Sequence, residues 1–246
     1  MDNLILDIDG TLLSGTREIN HSLQFLNYLE ERGKNYILAT NSIKSPQAQT
    51  KRFKDLGFTL SPEKFYSPID SINQWIRQNN ISHVMVVGSE AEIHQIKANH
   101  TLKDPELLVL LDFEKRNSCY NDLQEIINHL EKGCDIVAAS KSPFYLKEER
   151  KQIDTGAFVS LIESIIGREI EILGKPSLAY FQNARSILCS GSGPVTVIGD
   201  DWKTDILGAK EAEFQTILVK SGKYFPGDES RGEPDSVIDD FRDLLE

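Results

Sequence analysis

The sequence predicts an α/β fold built on parallel sheets, and three observations predict it. Short apolar, β-branched runs alternate with amphipathic stretches along the whole chain, the pattern of strands joined by crossover helices. Within those stretches apolar residues recur at helical spacing, as at Leu23, Leu26 and Leu29, and so mark one buried face. Gly33, Gly57 and Gly133 follow three of the stretches, at the position where a helix most readily ends. A chain of 246 residues can build one large domain or two smaller ones, each with its own core.

In chain order, strands are predicted at residues 4–8, 36–40, 84–88, 107–113, 135–139, 195–199 and 216–219. Each is rich in Val, Ile, Leu or aromatic residues and is bounded by polar or glycine-containing segments. Helices are predicted at 22–32, 45–56, 70–78, 90–98, 121–131, 158–166 and 178–184. Gln78-Asn79-Asn80 is a polar break before a new strand, and residues 167–174 form a second one before Lys175. Residues 224–235, with Pro226, Gly227, Gly232 and Pro234, read as a surface loop. Residues 239–246 read as a closing amphipathic helix with Phe241, Leu244 and Leu245 inward and its acids solvated. The sequence has no internal repeat or low-complexity stretch.

The net charge of −11 argues against nucleic acid as a partner, since no basic stripe is present to meet a phosphate backbone. An anionic substrate must then be drawn in by local positive charge, from a metal ion or a placed lysine. Cys119, Cys134 and Cys189 lack metal-ligand spacing and read as buried small hydrophobes. Too few residues precede Leu4 for a signal peptide, and no apolar run approaches a membrane span. A cytoplasmic protein without a membrane partner is expected.

Four segments carry chemistry. In the first, Leu4-Ile5-Leu6-Asp7-Ile8-Asp9-Gly10-Thr11, an apolar strand ends in two carboxylates at i and i+2, which point to the same side. Such concentrated negative charge is costly unless a cation, a proton or a catalytic role offsets it. The arrangement suggests a Mg2+-dependent phosphate site with one carboxylate as nucleophile. Gly10 lets backbone N–H groups approach a bound anion. In the second, Ala39-Thr40-Asn41-Ser42, a hydroxyl and an amide sit at a strand's carboxyl end, the edge where open α/β sheets bind ligands. In the third, Gly174-Lys175-Pro176, a lysine precedes a helix start that favours anions, and it can neutralise both phosphate and the crowded acids. The fourth runs from Val195 through Gly199-Asp200-Asp201 to Asp205. Asp200 is placed there as a second metal carboxylate, since hard cations prefer oxygen ligands. Asp201 is the lesser alternative, and Asp205 can hold a metal-bound water or orient Lys175. Gly208 and Ala209 allow the following helix to pack close to the sheet.

Taken in the order acid–acid, hydroxyl, lysine, acid, these segments resemble the haloacid dehalogenase-like phosphohydrolases. Within that superfamily the chain is similar to the NagD-like, 4-nitrophenylphosphatase-type subfamily. Supporting matches are the form Gly-Asp-x-x-x-Thr-Asp at 199–205, Ile206-Leu207-Gly208-Ala209, Ser221-Gly222, and Asp154-Thr155-Gly156-Ala157. The resemblance implies a doubly wound, Rossmann-like core from residues 1–80 and 175–246, with an inserted α/β cap domain at 81–174. Three of the predicted strands fall inside that insert, enough for a sheet of its own.

It further implies a phosphatase that hydrolyses small phosphomonoesters through an aspartyl-phosphate. Asp7 attacks phosphorus, while Asp9 protonates the leaving oxygen and then takes a proton from water. Mg2+ is held by the Asp7 carboxylate, the Asp9 backbone carbonyl and the Asp200 carboxylate; Thr40, Asn41 and Lys175 bind phosphate. A phosphotransferase or mutase on the same core, or a non-catalytic phosphate-responsive binding protein, is the alternative. Two departures from the pattern stand out. Asn41 is followed by Ser42-Ile43 where many relatives have a second asparagine. The cap reads Ser140-Lys141-Ser142-Pro143-Phe144-Tyr145 where an Asn-Pro-Asp-like segment is expected. Lys141 and Tyr145 are therefore candidate specificity residues. The expected partner is a small phosphorylated metabolite, whether sugar phosphate, nucleotide, phosphoglycolate-like compound or pyridoxal phosphate. By analogy with such relatives a homodimer through the cap is one expected assembly, on which no residue here bears.

Overall fold

The computed structural model describes residues 3–113, 120–147, 150–188 and 193–245. Cys119 and Cys189 lie outside them; Cys134 is buried. The chain folds as two compact units, Met1–Tyr66 with Lys175–Glu246, and Ser67–Gly174.

The first unit is a six-stranded parallel sheet. Its strands are β1 (Asn3–Leu6), β4 (Asn35–Ala39), β5 (Phe65–Tyr66), β13 (Val195–Gly199), β14 (Gln215–Val219) and β15 (Ser236–Ile238), in the order β15-β14-β13-β1-β4-β5. Leu4 and Leu6 of β1 point to one face and Ile5 to the other, and all three are fully buried, as an inner strand covered on both sides requires. On the first face they meet Phe25, Leu26 and Leu29 of α1 (Ser22–Glu31), Phe53 of α2 (Pro46–Asp55) and Phe241. On the second, Ile5, Ile37 and Val197 meet Tyr180, Phe181 and Ala184 of α7 (Leu178–Leu188) and Ala209 of α8 (Leu207–Glu211). The sheet is thus wound on both sides, as an α/β core predicts. A hairpin, β2 (Leu13–Ser14) with β3 (Arg17–Glu18), follows β1 directly, and α9 (Asp228–Gly232) precedes β15. The expected closing helix is a short 3-10 turn, Phe241–Leu244, with Phe241 fully buried.

The second unit holds its own five-stranded parallel sheet. It comprises β6 (His83–Val87), β7 (Asn99–His100), β8 (Leu107–Leu110), β9 (Asp135–Ala138) and β12 (Glu171–Ile172), ordered β12-β9-β8-β6-β7. Its core joins Val87, Leu108 and Ile136 to Ile126 of α5 (Tyr120–Glu131) and Ile162 of α6 (Thr155–Ile166). The hairpin β10 (Phe144–Lys147) with β11 (Arg150–Ile153) precedes α6. The Asp154 side chain accepts from the Thr155 N–H at 2.7 Å, so α6 starts three residues before its predicted position.

Two further expectations need correction. The first unit ends at Tyr66 rather than at residue 80, because α3 (Pro68–Gln78) is bonded into the second unit. There Asn73 donates to the Gln95 carbonyl at 2.9 Å and accepts from the Lys97 N–H at 2.7 Å, and Trp75 donates to Glu171 at 3.2 Å. The same asparagine shortens the predicted helix 90–98 to α4 (Glu90–Ile93). It takes the carbonyl and N–H on either side of residue 96, groups a continuing helix draws into its own ladder.

Candidate active site

Parallel pairing determines where the predicted acids come together. Leu6 of β1 is level with Leu38 of β4 and Ile198 of β13, so Asp7 emerges at the carboxyl edge beside Ala39 and Gly199. The Asp7 N–H still bonds the Ile198 carbonyl at 2.9 Å, which holds the residue in line with the strand. Asp200 follows the end of β13, and one π-helical turn, Trp202–Ile206, carries Asp205 back over it. Gly199 makes that return possible: a Cβ there would lie 2.3 Å from the Asp205 carboxyl carbon.

Asp7, Asp200 and Asp205 are 6%, 2% and 1% exposed, and their carboxylate oxygens lie within 4.8 Å of one another. Lys175, 3% exposed, reaches between them, with Nζ 2.5 Å from Asp7 Oδ1 and 2.6 Å from Asp205 Oδ1. Burial alone pushes this ammonium down, but Asp205 and Asp7 together outweigh it and hold Lys175 above its ordinary value. Burial raises Asp205 to about 7 against the pull of Lys175. Asp200 is driven well above the ordinary carboxylate range by burial and by its neighbours Asp7 and Asp205, and the Lys223 N–H only partly offsets this.

Three carboxylates facing one ammonium leave two negative charges, the complement of a divalent cation. The hydrogen bonding gives the same result. Thr11 Oγ1 lies 2.8 Å from Asp7 Oδ2 and 2.9 Å from Asp200 Oδ1. A hydroxyl carries one proton, so one of those oxygen pairs requires a proton on the carboxyl or a cation beside it. Backbone crowds the same spot. Cβ atoms on Gly10 and Gly222 would lie 2.4 Å and 2.1 Å from Asp200 Oδ2. The donor set is all oxygen, buried and anionic, which suits Mg2+.

The other predicted residues fall in distinct places. Thr40 is buried, and its hydroxyl accepts from the Ser42 N–H at 2.9 Å, an arrangement that leaves its own proton to donate. The Asn41 side chain, expected to reach phosphate, forks onto the Lys175 backbone. Its Oδ1 accepts from the Lys175 N–H at 2.8 Å and its Nδ2 donates to the Lys175 carbonyl at 3.0 Å. Asp9 stands apart from the acid cluster: its carboxylate is 43% exposed and pairs with Arg52 Nη2 at 2.8 Å. Asp201, the lesser ligand alternative, accepts from the Lys203 N–H and lies 3.4 Å from Lys223 Nζ. In the second unit, Lys141 pairs with Glu163 at 3.3 Å. Tyr145 instead lines a cleft of about 240 Å3 with Asp112, Phe113, Gln152, Asp154 and Phe158.

Three contributors are not evident from residue types. The Lys223 N–H donates to Asp200 Oδ2 at 2.6 Å, the Ser221 hydroxyl donates to the Gly10 carbonyl at 2.7 Å, and Tyr180 Oη lies 3.0 Å from the carbonyls of Thr40 and Tyr66. Only the Ser221 hydroxyl had a signal, the Ser221-Gly222 pair.

Phosphatases are among the known proteins to which this chain is similar. A haloacid dehalogenase-like hydrolase model matches residues 4–101, and a second HAD-hydrolase-like model matches 172–244. The mouse phospholysine phosphohistidine inorganic pyrophosphate phosphatase is 24% identical over 99% of this chain and 92% of its own length. The ribonucleotide monophosphatase NagD of Escherichia coli K12 is 27% identical over 89% of this chain and 88% of its own. Among solved structures, a 4-nitrophenylphosphatase from Thermotoga maritima superposes with a TM-score of 0.91 at 23% identity, covering 100% of this chain and 96% of that one. A glycerol phosphate phosphatase from Mycobacterium tuberculosis, solved with magnesium, gives 0.86 at 23% identity over 99% and 76%.

Proposed function

We propose, since the chain belongs to the haloacid dehalogenase-like hydrolases and to their NagD-like group, that it is a Mg2+-dependent phosphatase of small phosphomonoesters. The observation that carries this reading is the buried set of Asp7, Asp200 and Asp205 around Lys175. Burying three carboxylates costs several kcal/mol each unless paired (a rough figure), and structural need does not explain gathering them at the edge where α/β sheets bind ligands.

Asp7 is the nucleophile. One of its oxygens attacks phosphorus in line, the bond to the leaving oxygen breaks, and an aspartyl-phosphate forms. Asp9 gives its proton to the departing alkoxide. It then accepts one from the water that attacks phosphorus, which releases inorganic phosphate and restores the Asp7 carboxylate. The Thr40 hydroxyl and Lys175 bind phosphate oxygens, and Asn41 serves the phosphate site through its hold on the Lys175 backbone. Lys175 also shields Asp7 from the incoming dianion, held in place by Asp205 and by the Asn41 fork on its backbone. The Asp7 and Asp200 carboxylates and the Asp9 carbonyl hold Mg2+, which when bound supplies positive charge to a phosphate oxygen and to the crowded acids. Tyr145 and Lys141 are the proposed selectors of the leaving group.

Asp7→Asn tests the reading. The variant is expected to keep the thermal midpoint within a few degrees while turnover of a phosphomonoester panel falls at least on the order of a thousandfold. Acid-quenched wild-type enzyme should carry the phosphoryl group on the peptide containing Asp7, as read by mass spectrometry. Substantial turnover by pure Asp7→Asn protein would sink the assignment.

A further inference from the structure

Arg52 has no place in the chemistry above, yet its guanidinium is committed at three points. Nη2 donates to Asp9 Oδ1 at 2.8 Å and to the Gly15 carbonyl at 2.9 Å, and Nη1 donates to Gln49 Oε1 at 2.8 Å. Its side chain is only 14% exposed, although it reaches an aspartate that is 43% exposed. Gln49, one turn earlier on α2, is 1% exposed, so the guanidinium plane is anchored against the buried face of the helix. Gly15 lies at the tip of the hairpin β2-β3. One rigid fork therefore ties the Asp9 carboxylate and the hairpin tip to α2.

We propose that Arg52 is the positioning residue for Asp9, a role that rests on the acid–base reading of Asp9 above. An exposed aspartate carboxylate rotates among several rotamers, and a proton donor helps the departing oxygen only from a defined place. The planar guanidinium removes that freedom, because its five donors have fixed directions. The contact is one-sided, to Oδ1, so Oδ2 is the oxygen that carries the proton to the leaving group. A lysine ammonium could reach Asp9 and Gly15 as Nη2 does, but it would lack the second nitrogen through which Gln49 fixes the plane of the fork. Arg52 acts through Asp9: its hydrogen bonds go to Asp9, Gly15 and Gln49 and not to the nucleophile Asp7.

This assignment makes a specific kinetic prediction, because general-acid help matters for poor leaving groups and little for good ones. The ratio kcat/KM covers steps up to aspartyl-phosphate formation, so it isolates the acid role. With Arg52→Gln, kcat/KM for an alkyl phosphate should fall on the order of 10- to 100-fold, and for 4-nitrophenyl phosphate less than about threefold. Arg52→Lys should recover part of the alkyl-phosphate rate, and it serves as the readout if the glutamine variant does not fold. In an Asp9→Asn background, Arg52→Gln should change kcat/KM by less than about twofold, because residues acting through one group are not additive. Equal losses on both substrates, or losses that multiply with those of Asp9→Asn, would overturn the positioning role. If Asp9→Asn itself lowers both substrates equally, the acid reading of Asp9 fails first and the role of Arg52 falls with it.

Discussion

At the scale of single residues, the site depends on close approach as much as on charge. Asp200 is held by one hydroxyl, Thr11, and one backbone N–H, that of Lys223, with two glycines closing in around its second oxygen. Gly222 has φ of +51°, and an added Cβ would lie 2.1 Å from Asp200 Oδ2 and 2.5 Å from the Gly10 Cα. Neither neighbour can yield, since one is a proposed metal ligand and the other is backbone. Gly222→Ala should therefore cost about 1–3 kcal/mol of stability and weaken Mg2+ binding on the order of tenfold. Gly227 separates the two effects, since its φ is +98° but nothing lies within 4 Å of an added Cβ. Gly227→Ala should cost about 1–2 kcal/mol from backbone strain alone and leave Mg2+ affinity unchanged. Urea unfolding with calorimetric Mg2+ titration of both variants checks this, and equal affinity in the two would refute the steric account.

At the scale of elements, the reach of Lys175 depends on how α8 meets the start of α7. Gly208 of α8 sits where an added Cβ would lie 2.5 Å from the Pro176 carbonyl oxygen and 2.6 Å from the Phe181 ring. The Pro176 oxygen is backbone, one residue from Lys175, so relief would move the segment that carries the ammonium. Gly208→Ala is expected to cost about 1–3 kcal/mol as overpacking and to lower kcat more than KM; thermal denaturation and steady-state kinetics test it, and unaltered kcat would show that α8 does not set the lysine. The small pair Gly208-Ala209 was legible in the sequence because close packing restricts residue type. Elements set by long-range partners were not. The two-residue strands Phe65–Tyr66, Asn99–His100 and Glu171–Ile172 are too short to show any period. The end of α4 is imposed by Asn73, twenty residues earlier in the chain, rather than by a local stop signal. The 3-10 turn at Phe241–Leu244 keeps the inward Phe241 that periodicity indicated, with fewer turns than a helix over 239–246.

For the molecule as a whole, one edge of one sheet gathers residues separated by up to 198 positions, and this determines what was legible. Asp7, Thr40, Asp200 and Asp205 could be read because each ends or follows a strongly patterned run, and Lys175 because it stands just before Pro176 and a helix start. Arg52 and the Lys223 N–H could not, because an arginine in the last turn of a helix and a backbone donor leave no mark on composition. The assembled cluster then couples stability to pH and metal. Asp200 and Asp205 are both raised, chiefly by burial, with Asp205 at about 7. A raised carboxylate binds more protons folded than unfolded, so Asp205 withdraws stability as pH climbs from the ordinary carboxylate range through about 7, and Asp200 withdraws it as pH climbs above that ordinary range. Lys175 is raised above its ordinary value, so its contribution is constant across that window and is lost only in strong alkali. Asp240, Glu106 and Glu229 are each held below their ordinary values, so they act only at the acid end, beneath the window. Metal-free protein should therefore gain little from Mg2+ at about pH 5.5, where protons already neutralise the pair, and more at about pH 8. At a hundredfold excess over Kd the gain at the higher pH should approach about 2.7 kcal/mol. Thermal midpoints with Mg2+ or with chelator at the two pH values measure it. A gain that is equal at both, or larger in acid, would mean that the buried carboxylates are not where the cation binds.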